Sequence, residues 1–419
     1  MSDFLEELEW RGLLQDCSDR EGLKKLGRGY SFYVGYDPSA PSLHFGNLLP
    51  IIVSIHLARA GLRAIQLFGG ATGAIGDPSG KSTERPLLAR ETIDRHIASQ
   101  RKKAAEILER AGVQAEFVNN YDWTSGLCVL DFLRDIGKHF TINYMLAKDS
   151  VKTRMSGEGI SFTEFSYMLL QANDFLYLHQ HKNCRLQVGG SDQWGNMTAG
   201  LELIRRKIQG QAYALSFPLI TDSQGQKLGK SEAGTIYLNA DITSPYRFHQ
   251  FWLNIDDRDV IRYLKMFTFH DQSTISDMEN CLKTAPEKRA AQHLLADSVC
   301  TLVHGEEATN EARRSAEVLF GGSLEGLSDS KLEEIFWDVP SSNIARADLS
   351  RMKVLDLFNS AKLVSSKSEA RRLIAAGGAY LNNKRIEDAE MPCTGSCFDN
   401  SRLLVLRAGK KNYHLVRIT

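Results

Sequence analysis

A chain of 419 residues has room for about two to four domains, each with its own core, and excludes a single small module. Hydrophobic residues make up 42% and charged residues 24%, a globular balance that excludes a disordered or collagen-like chain. Formal charge is zero but unevenly spread: residues 351–419 carry 13 Lys and Arg against 6 Asp and Glu, leaving 38 against 45 for residues 1–350. An acidic body with a basic tail suggests that the tail meets an acidic partner.

The first residues, MSDFLEELEWRGLL, hold four acidic side chains and one arginine. That charge is wrong for a secretory or mitochondrial leader, so a cytoplasmic protein is expected. The most apolar stretch, Leu48 to Ala58, includes Ser54 and His56 and is about half the ~20 residues a membrane span needs. Next in chain order, Phe32–Tyr36 reads as a strand, Leu48–Ala60 as a helix, Ala64–Phe68 as a strand and Glu91–Ala111 as a long helix. This rhythm predicts an α/β fold, with a doubly wound, Rossmann-like parallel sheet in a first domain over residues 1–220.

A further helix is expected from Ser161 to Leu178. On it Tyr167, Gln171 and Asp174 fall at i, i+4 and i+7, on one face, and would need partners if buried. Residues 221–243 form a polar loop region. Residues 244–320 show helical segments at Pro245–Leu253, Asp257–Phe267 and Glu287–His304 and are expected to form a helical domain. Gly, Ser and Pro around one short helix mark residues 321–348 as a linker. The last unit, 349–419, reads as a small α+β domain. In it Val354–Phe358 and Ser366–Ala376 are helical, a strand follows Gly377-Gly378, and Lys367, Arg371 and Arg372 cluster.

Seven cysteines scattered through the chain suit reduced thiols better than a disulfide framework. His179, His181 and Cys184, and the pair Cys393 and Cys397, lack the four ligands of a structural zinc site, so no metal centre is expected.

Two short motifs carry chemistry. In His44-Phe45-Gly46-Asn47, placed after Asp37-Pro38-Ser39 and before an apolar helix, a helix N-terminus with His44 and Asn47 beside it suits a phosphate. The same four residues are also what a capped helix start requires. Lys227-Leu228-Gly229-Lys230-Ser231 lies in a stretch with three glycines between Thr221 and Gly234. Its lysines could neutralise charge developing on a leaving pyrophosphate, although a solvated loop reads the same way. Both motifs in this order in one α/β chain favour nucleotide chemistry. By contrast, Gly76-Asp77-Pro78-Ser79-Gly80-Lys81-Ser82 is one residue short of a P-loop. Lys81 and Arg85 in that polar loop are instead candidate partners of a pyrophosphate.

The two motifs resemble the HIGH and KMSKS signatures of class I aminoacyl-tRNA synthetases. The phrases Tyr33-Val34-Gly35-Tyr36-Asp37, Gly73 to Ser79, Asn119-Asn120-Tyr121-Asp122-Trp123, Gly189 to Asn196 and Gly409-Lys410-Lys411-Asn412-Tyr413 are similar to the bacterial-type tyrosyl-tRNA synthetases, nearly end to end. The resemblance implies formation of tyrosyl adenylate from tyrosine and ATP with magnesium, then transfer to the 3′ end of tRNA(Tyr) by a homodimer. The dimer-forming segment would be an insertion in the first domain, the helical domain would bind the anticodon region, and the basic tail would be an RNA-binding fold.

By residue, the resemblance implies Tyr33 and Asp174 at the substrate phenol. Asp77, Tyr167 and Gln171 fall at its ammonium group, Gln193 at its carboxylate and Gln187 in the same pocket. Gly35, Asp37, Ser39, His44, Gly46, Asn47, Gly190, Asp192 and Lys230 would hold ATP. His44, Asn47, Lys81, Arg85, Lys227, Lys230 and Ser231 would stabilise the transition state, and Lys367, Arg371 and Arg372 would contact RNA. Asn173 departs from the pattern, because relatives carry an aromatic residue there. The rival enzyme is a tryptophanyl relative, which Tyr33 facing Asp174 opposes. The rival of another kind is an inactive RNA-binding scaffold, which would have no use for His44, Asn47, Lys227, Lys230 and Asp192.

Overall fold

The computed structural model describes residues 4–79, 87–157, 159–225, 228–231, 234–318, 322, 324, 327–337, 339–394, 402–409 and 412–419; of residues 230 and 231 it describes the backbone alone. The chain packs as two compact units, 1–244 with 251–305, and 245–250 with 306–419.

The first unit is built on six strands: β1 Asp16–Cys17, β2 Ser31–Tyr36, β3 Arg63–Phe68, β4 Ala115–Asn119, β5 Cys184–Gly190 and β6 Tyr213–Phe217. Their order is β1-β6-β5-β2-β3-β4, parallel throughout except for β1 against β6. β2, β3 and β6 read as almost continuous buried runs, as strands covered on both faces must. On one face lie the helices Phe162–His181 and Trp194–Ile208, which share a core with Tyr33, Ile65 and Leu67.

Helix Leu48–Arg59 is buried at nine of its twelve positions, Leu48 through Ile55 and Leu57. A helix that is apolar almost all round must be covered on both sides. It has the sheet beneath it and helix Asp257–Phe267 above it. The segments 257–267, Gln272–Thr284 and Ala290–His304 therefore belong to the nucleotide-type unit. This corrects the separate helical domain expected over residues 244–320, whose last helix, Glu306–Val318, falls in the other unit.

The second unit holds a five-stranded sheet in the order β11-β10-β12-β13-β9, formed by β9 Ser341–Ile344, β10 Ala379–Leu381, β11 Lys384–Arg385, β12 Leu403–Ala408 and β13 Asn412–Ile418. Strands β7 Lys230–Ser231 and β8 Gly234–Thr235 form a small antiparallel hairpin in the first unit. Alternation along β12 sends Leu404, Leu406 and Ala408 to one face, under helices Val354–Ser360 and Lys367–Ala375. Leu403 and Val405 go to the other, with Tyr246, Ala312, Leu332 and Phe336. The stretch 321–348 is thus more than a linker, because Ser341–Ile344 pairs in parallel with β13.

Candidate active site

In a doubly wound sheet, adjacent strands whose chains turn away in opposite directions leave a crevice at their carboxyl ends. Here that point lies between β2 and β5, and a cavity of about 490 Å³ opens there. Of the residues expected in the site, Tyr33, Gly35, Asp37, Ser39, His44, Gly46, Asn47, Asp77, Tyr167, Gln171, Asp174, Gln187, Gly190, Asp192 and Gln193 all line it. They come from sequence segments far apart, and the crossing of two strands brings them together.

At the inner end the polar face of helix 162–181 meets Tyr33 from β2 and Gln187 from β5. Asp174 is 2% exposed and accepts hydrogen bonds from Asn120 Nδ2 at 2.9 Å and Trp123 Nε1 at 2.8 Å. Burial lifts its pKa to about 7; the two donors oppose the rise and the nearby Asp37 charge adds to it. Burial, followed by the charge of Asp174, also pushes the Tyr33 phenol well above its ordinary value. The Tyr33 hydroxyl, Gln171 Oε1 and Gln187 Oε1 are buried without a hydrogen-bond partner. Native proteins satisfy nearly all such atoms, so an unpartnered phenol beside the Asp174 carboxylate, in the lining of the cavity, marks a place for a polar ligand.

Towards the mouth, Asp37 accepts from the Tyr167 hydroxyl and from Thr72 Oγ1, each at 2.9 Å. Thr72 in turn accepts from Asn120 at 3.0 Å, which joins Asp37 to the Asp174 end. Asp77 accepts from Gln193 Nε2 at 2.6 Å and from the Ser79 backbone at 2.9 Å. Asn196 supports the Gln193 amide oxygen at 3.2 Å.

His44 and Asn47 close a capping box on the turn Phe45–Asn47, which runs directly into helix 48–59. His44 Nδ1 accepts from the Gly46 backbone at 3.0 Å, and Asn47 Oδ1 accepts from the His44 backbone at 3.0 Å. The capped-start and phosphate readings therefore coexist. Accepting at Nδ1 places the imidazole proton on Nε2, a defined donor beside a helix N-terminus. A Cβ on Gly46 would come within 2.9 Å of that ring, so any other residue there would displace the imidazole from its cap.

The downstream loop is tied to the same turn. Ile236 donates to the Gly229 carbonyl at 3.1 Å, and Phe45 donates to the Ile236 carbonyl at 2.8 Å. Leu228, Gly229 and Thr235 line the cavity, and Lys230 and Ser231 form β7. Lys81, Arg85 and Lys227 lie outside the described residues.

Lys367, Arg371 and Arg372 are exposed on helix 367–375. Two of them are already paired: Lys367 with Asp356, and Arg371 with Glu390, which also binds Lys353 at 2.6 Å. Sequence reasoning did not assign Thr72, Asn120 or Trp123 to the site. The polar and aromatic run after β4 was visible, but nothing in its spacing shows that it meets helix 162–181.

The family model described as tRNA synthetases class I (W and Y) matches residues 24–321. The model of the tyrosine–tRNA ligase SYY-like C-terminal domain matches residues 331–416. The chain is 50% identical over 420 residues to the tyrosine–tRNA ligase of Geobacillus kaustophilus, covering 99% of each. The chain belongs to the class I tyrosyl-tRNA synthetases. It is also 48% identical over 425 residues to the Roseiflexus castenholzii tyrosine–tRNA ligase, with both chains fully covered. The crystal structure of a C-terminally truncated Aspergillus nidulans mitochondrial tyrosyl-tRNA synthetase superposes with a TM-score of 0.69 at 31% identity, over 76% of this chain and 95% of that one. That of Archaeoglobus fulgidus tyrosyl-tRNA synthetase, at 17% identity and a TM-score of 0.55 over 74% of this chain and 99% of that one, shares the fold.

Proposed function

We propose that this synthetase cleft binds tyrosine against Asp174 and ATP against the His44 turn, and performs tyrosine activation followed by transfer to tRNA(Tyr). The observation that carries the assignment is the unsatisfied Tyr33 hydroxyl beside the buried Asp174, with Gln171 and Gln187 lining the same cavity. A phenol donating to Asp174 and accepting from Tyr33 adds a third donor to the carboxylate and gives the Tyr33 hydroxyl its partner. Phenylalanine would leave that hydroxyl buried and unpaired, a loss of about 1 to 3 kcal/mol. Gln171 Oε1 and Asp77, with Tyr167, accept from the substrate ammonium, and Gln193 donates to its carboxylate.

The carboxylate oxygen attacks the α-phosphorus of ATP, the bond to the bridging oxygen breaks, and pyrophosphate leaves. The protein supplies no nucleophile; its part is positioning and charge stabilisation. His44 Nε2–H and the helix N-terminus donate to phosphate oxygens. Asp37, Ser39, Asn47 and Asp192, with the backbone at Gly35, Gly46 and Gly190, hold the ATP. Lys230, Ser231, Lys227, Lys81 and Arg85 serve the departing pyrophosphate. Magnesium enters with ATP as part of that substrate.

Arg372, with Lys367 and Arg371 released from their acidic neighbours, contacts tRNA phosphates; exposed ion pairs are worth about 0 to 1 kcal/mol and exchange easily. The protein acts as a cytoplasmic homodimer. Val129, Leu130, Leu133, Ile142 and Phe162 are all more than half exposed, and large exposed apolar side chains are what a second copy covers. Among the described residues no helix is long and apolar enough to cross a membrane.

The test is exchange of labelled pyrophosphate into ATP with tyrosine, tryptophan and phenylalanine compared. Exchange with tyrosine alone is expected. Exchange with tryptophan would overturn the phenol assignment, and none with any amino acid would favour an RNA-binding scaffold.

A further inference from the structure

The long helix Arg90–Arg110 carries a stripe that a core face would not select. His96, Gln100 and Lys103 stand at i, i+4 and i+7, on one face, and each is hydrogen-bonded to a backbone carbonyl of another segment. His96 Nδ1 lies 2.9 Å from the Pro38 carbonyl. Gln100 Nε2 donates to the Ala40 carbonyl at 2.8 Å, and Lys103 Nζ to that of Val303 at 2.9 Å. Gln100 is 2% exposed and Lys103 6%. Beside the stripe, Ser99 Oγ accepts from Asn239 Nδ2 at 2.9 Å. Asn239 stands next to Leu238, which donates to the Leu43 carbonyl at 2.8 Å.

Pro38 and Ala40 flank Ser39 in the segment that runs from Asp37 to His44. The carbonyl side of this segment is therefore gripped by the helix, while Asp37, Ser39 and His44 line the cavity. Burying a glutamine and ordering a histidine side chain both cost free energy. What they provide here is a fixed backbone at a loop without regular secondary structure. We propose that His96 and Gln100 are positioning residues for the nucleotide end of the cleft: by holding the Pro38 and Ala40 carbonyls from behind, they set where Ser39 and His44 present their donors to ATP. This rests on assigning the 37–47 segment to ATP. The carbonyl is an acceptor only, so His96 donates through Nδ1, and both the neutral Nδ1–H tautomer and the imidazolium can do so.

The experiment is steady-state pyrophosphate exchange, with KM for ATP and for tyrosine measured separately, on the wild-type full chain and on H96A, Q100M, the double variant and the conservative H96N. Asparagine can place an amide donor near the position of imidazole Nδ1. H96A and Q100M are each expected to raise KM for ATP about two- to tenfold, the value of one lost neutral hydrogen bond. KM for tyrosine should stay within about twofold of wild type, because the Asp174 end is held by other elements. H96N should recover most of the ATP affinity. Equal increases in both constants, or a lowered melting temperature with unchanged KM for ATP, would reduce the stripe to helix packing and overturn the proposal. Should the double variant fail to fold, the single variants still decide the matter. A wild-type chain lacking tyrosine-dependent exchange would instead remove the functional reading beneath it.

Discussion

Gly229 lies against Phe45: a Cβ on this glycine would stand 2.9 Å from Cβ of Phe45, and its φ of +92° is one that L side chains rarely adopt. Phe45 itself is buried among Phe251, Trp252 and Phe267, with ring centroids 5.0 to 5.4 Å away. The two phosphate-type motifs, remote in sequence, thus meet at a glycine on an aromatic cluster that cannot yield. Gly229→Ala should strain the loop by about 1 to 3 kcal/mol. We expect kcat for pyrophosphate exchange to fall at least about tenfold, with KM for tyrosine nearly unchanged. A variant with wild-type kcat would show that the loop does not need this approach.

Asp174 has a signed pH dependence. Its pKa of about 7 stands above the ordinary 3.8, so the carboxylate that accepts the substrate phenol becomes more abundant as pH rises through about 7. KM for tyrosine should fall from about pH 6 to 8 and then level off; in Asp174→Asn that slope should vanish and affinity be poor throughout. Linkage gives the opposite sign for stability. The folded state retains a proton that the unfolded state releases, so stability declines as pH rises from about 4 through 7. Denaturant melts of Asp174→Asn should show part of that decline removed.

Trp123 supplies one of the two donors to Asp174 and stacks on Tyr177 with centroids 4.4 Å apart. Trp123→Phe keeps the stacking and deletes the donor. A hydrogen bond to a charged group is worth about 1.5 to 3 kcal/mol. The midpoint of the KM-versus-pH curve for tyrosine should accordingly move upward, which titration of kcat/KM would reveal. An unchanged midpoint would mean that Asn120 alone holds the carboxylate.

The Arg154 guanidinium grips Glu164 with both arms, at 2.7 and 2.8 Å, with side-chain exposures of 4% and 2%. Removing one partner leaves a buried charge behind, a loss of about 3 to 5 kcal/mol. Arg154→Met should lower the denaturation midpoint by that equivalent, whereas Arg154→Met with Glu164→Leu should recover much of it.

In the tail, Arg371→Ala with Arg372→Ala should weaken tRNA binding and flatten its salt dependence. Pyrophosphate exchange should be untouched.

The amino-acid sequence by itself determined the parallel sheet, the helices 48–59, 90–110 and 162–181, and the polar stripe Tyr167, Gln171 and Asp174, because hydrophobic periodicity and helical spacing are local properties. Only the tertiary structure decided that Asn120 and Trp123 orient Asp174, that Gly229 touches Phe45, and that helix 90–110 holds the 37–47 segment from behind. It likewise decided that helix 257–267 covers helix 48–59 within the first unit, while Ser341–Ile344 completes the sheet of the second. Each of these is a pairing between segments tens to hundreds of residues apart. Such a pairing depends on how the strands cross over and on which faces are left to be buried, and no window of neighbouring residues contains that information.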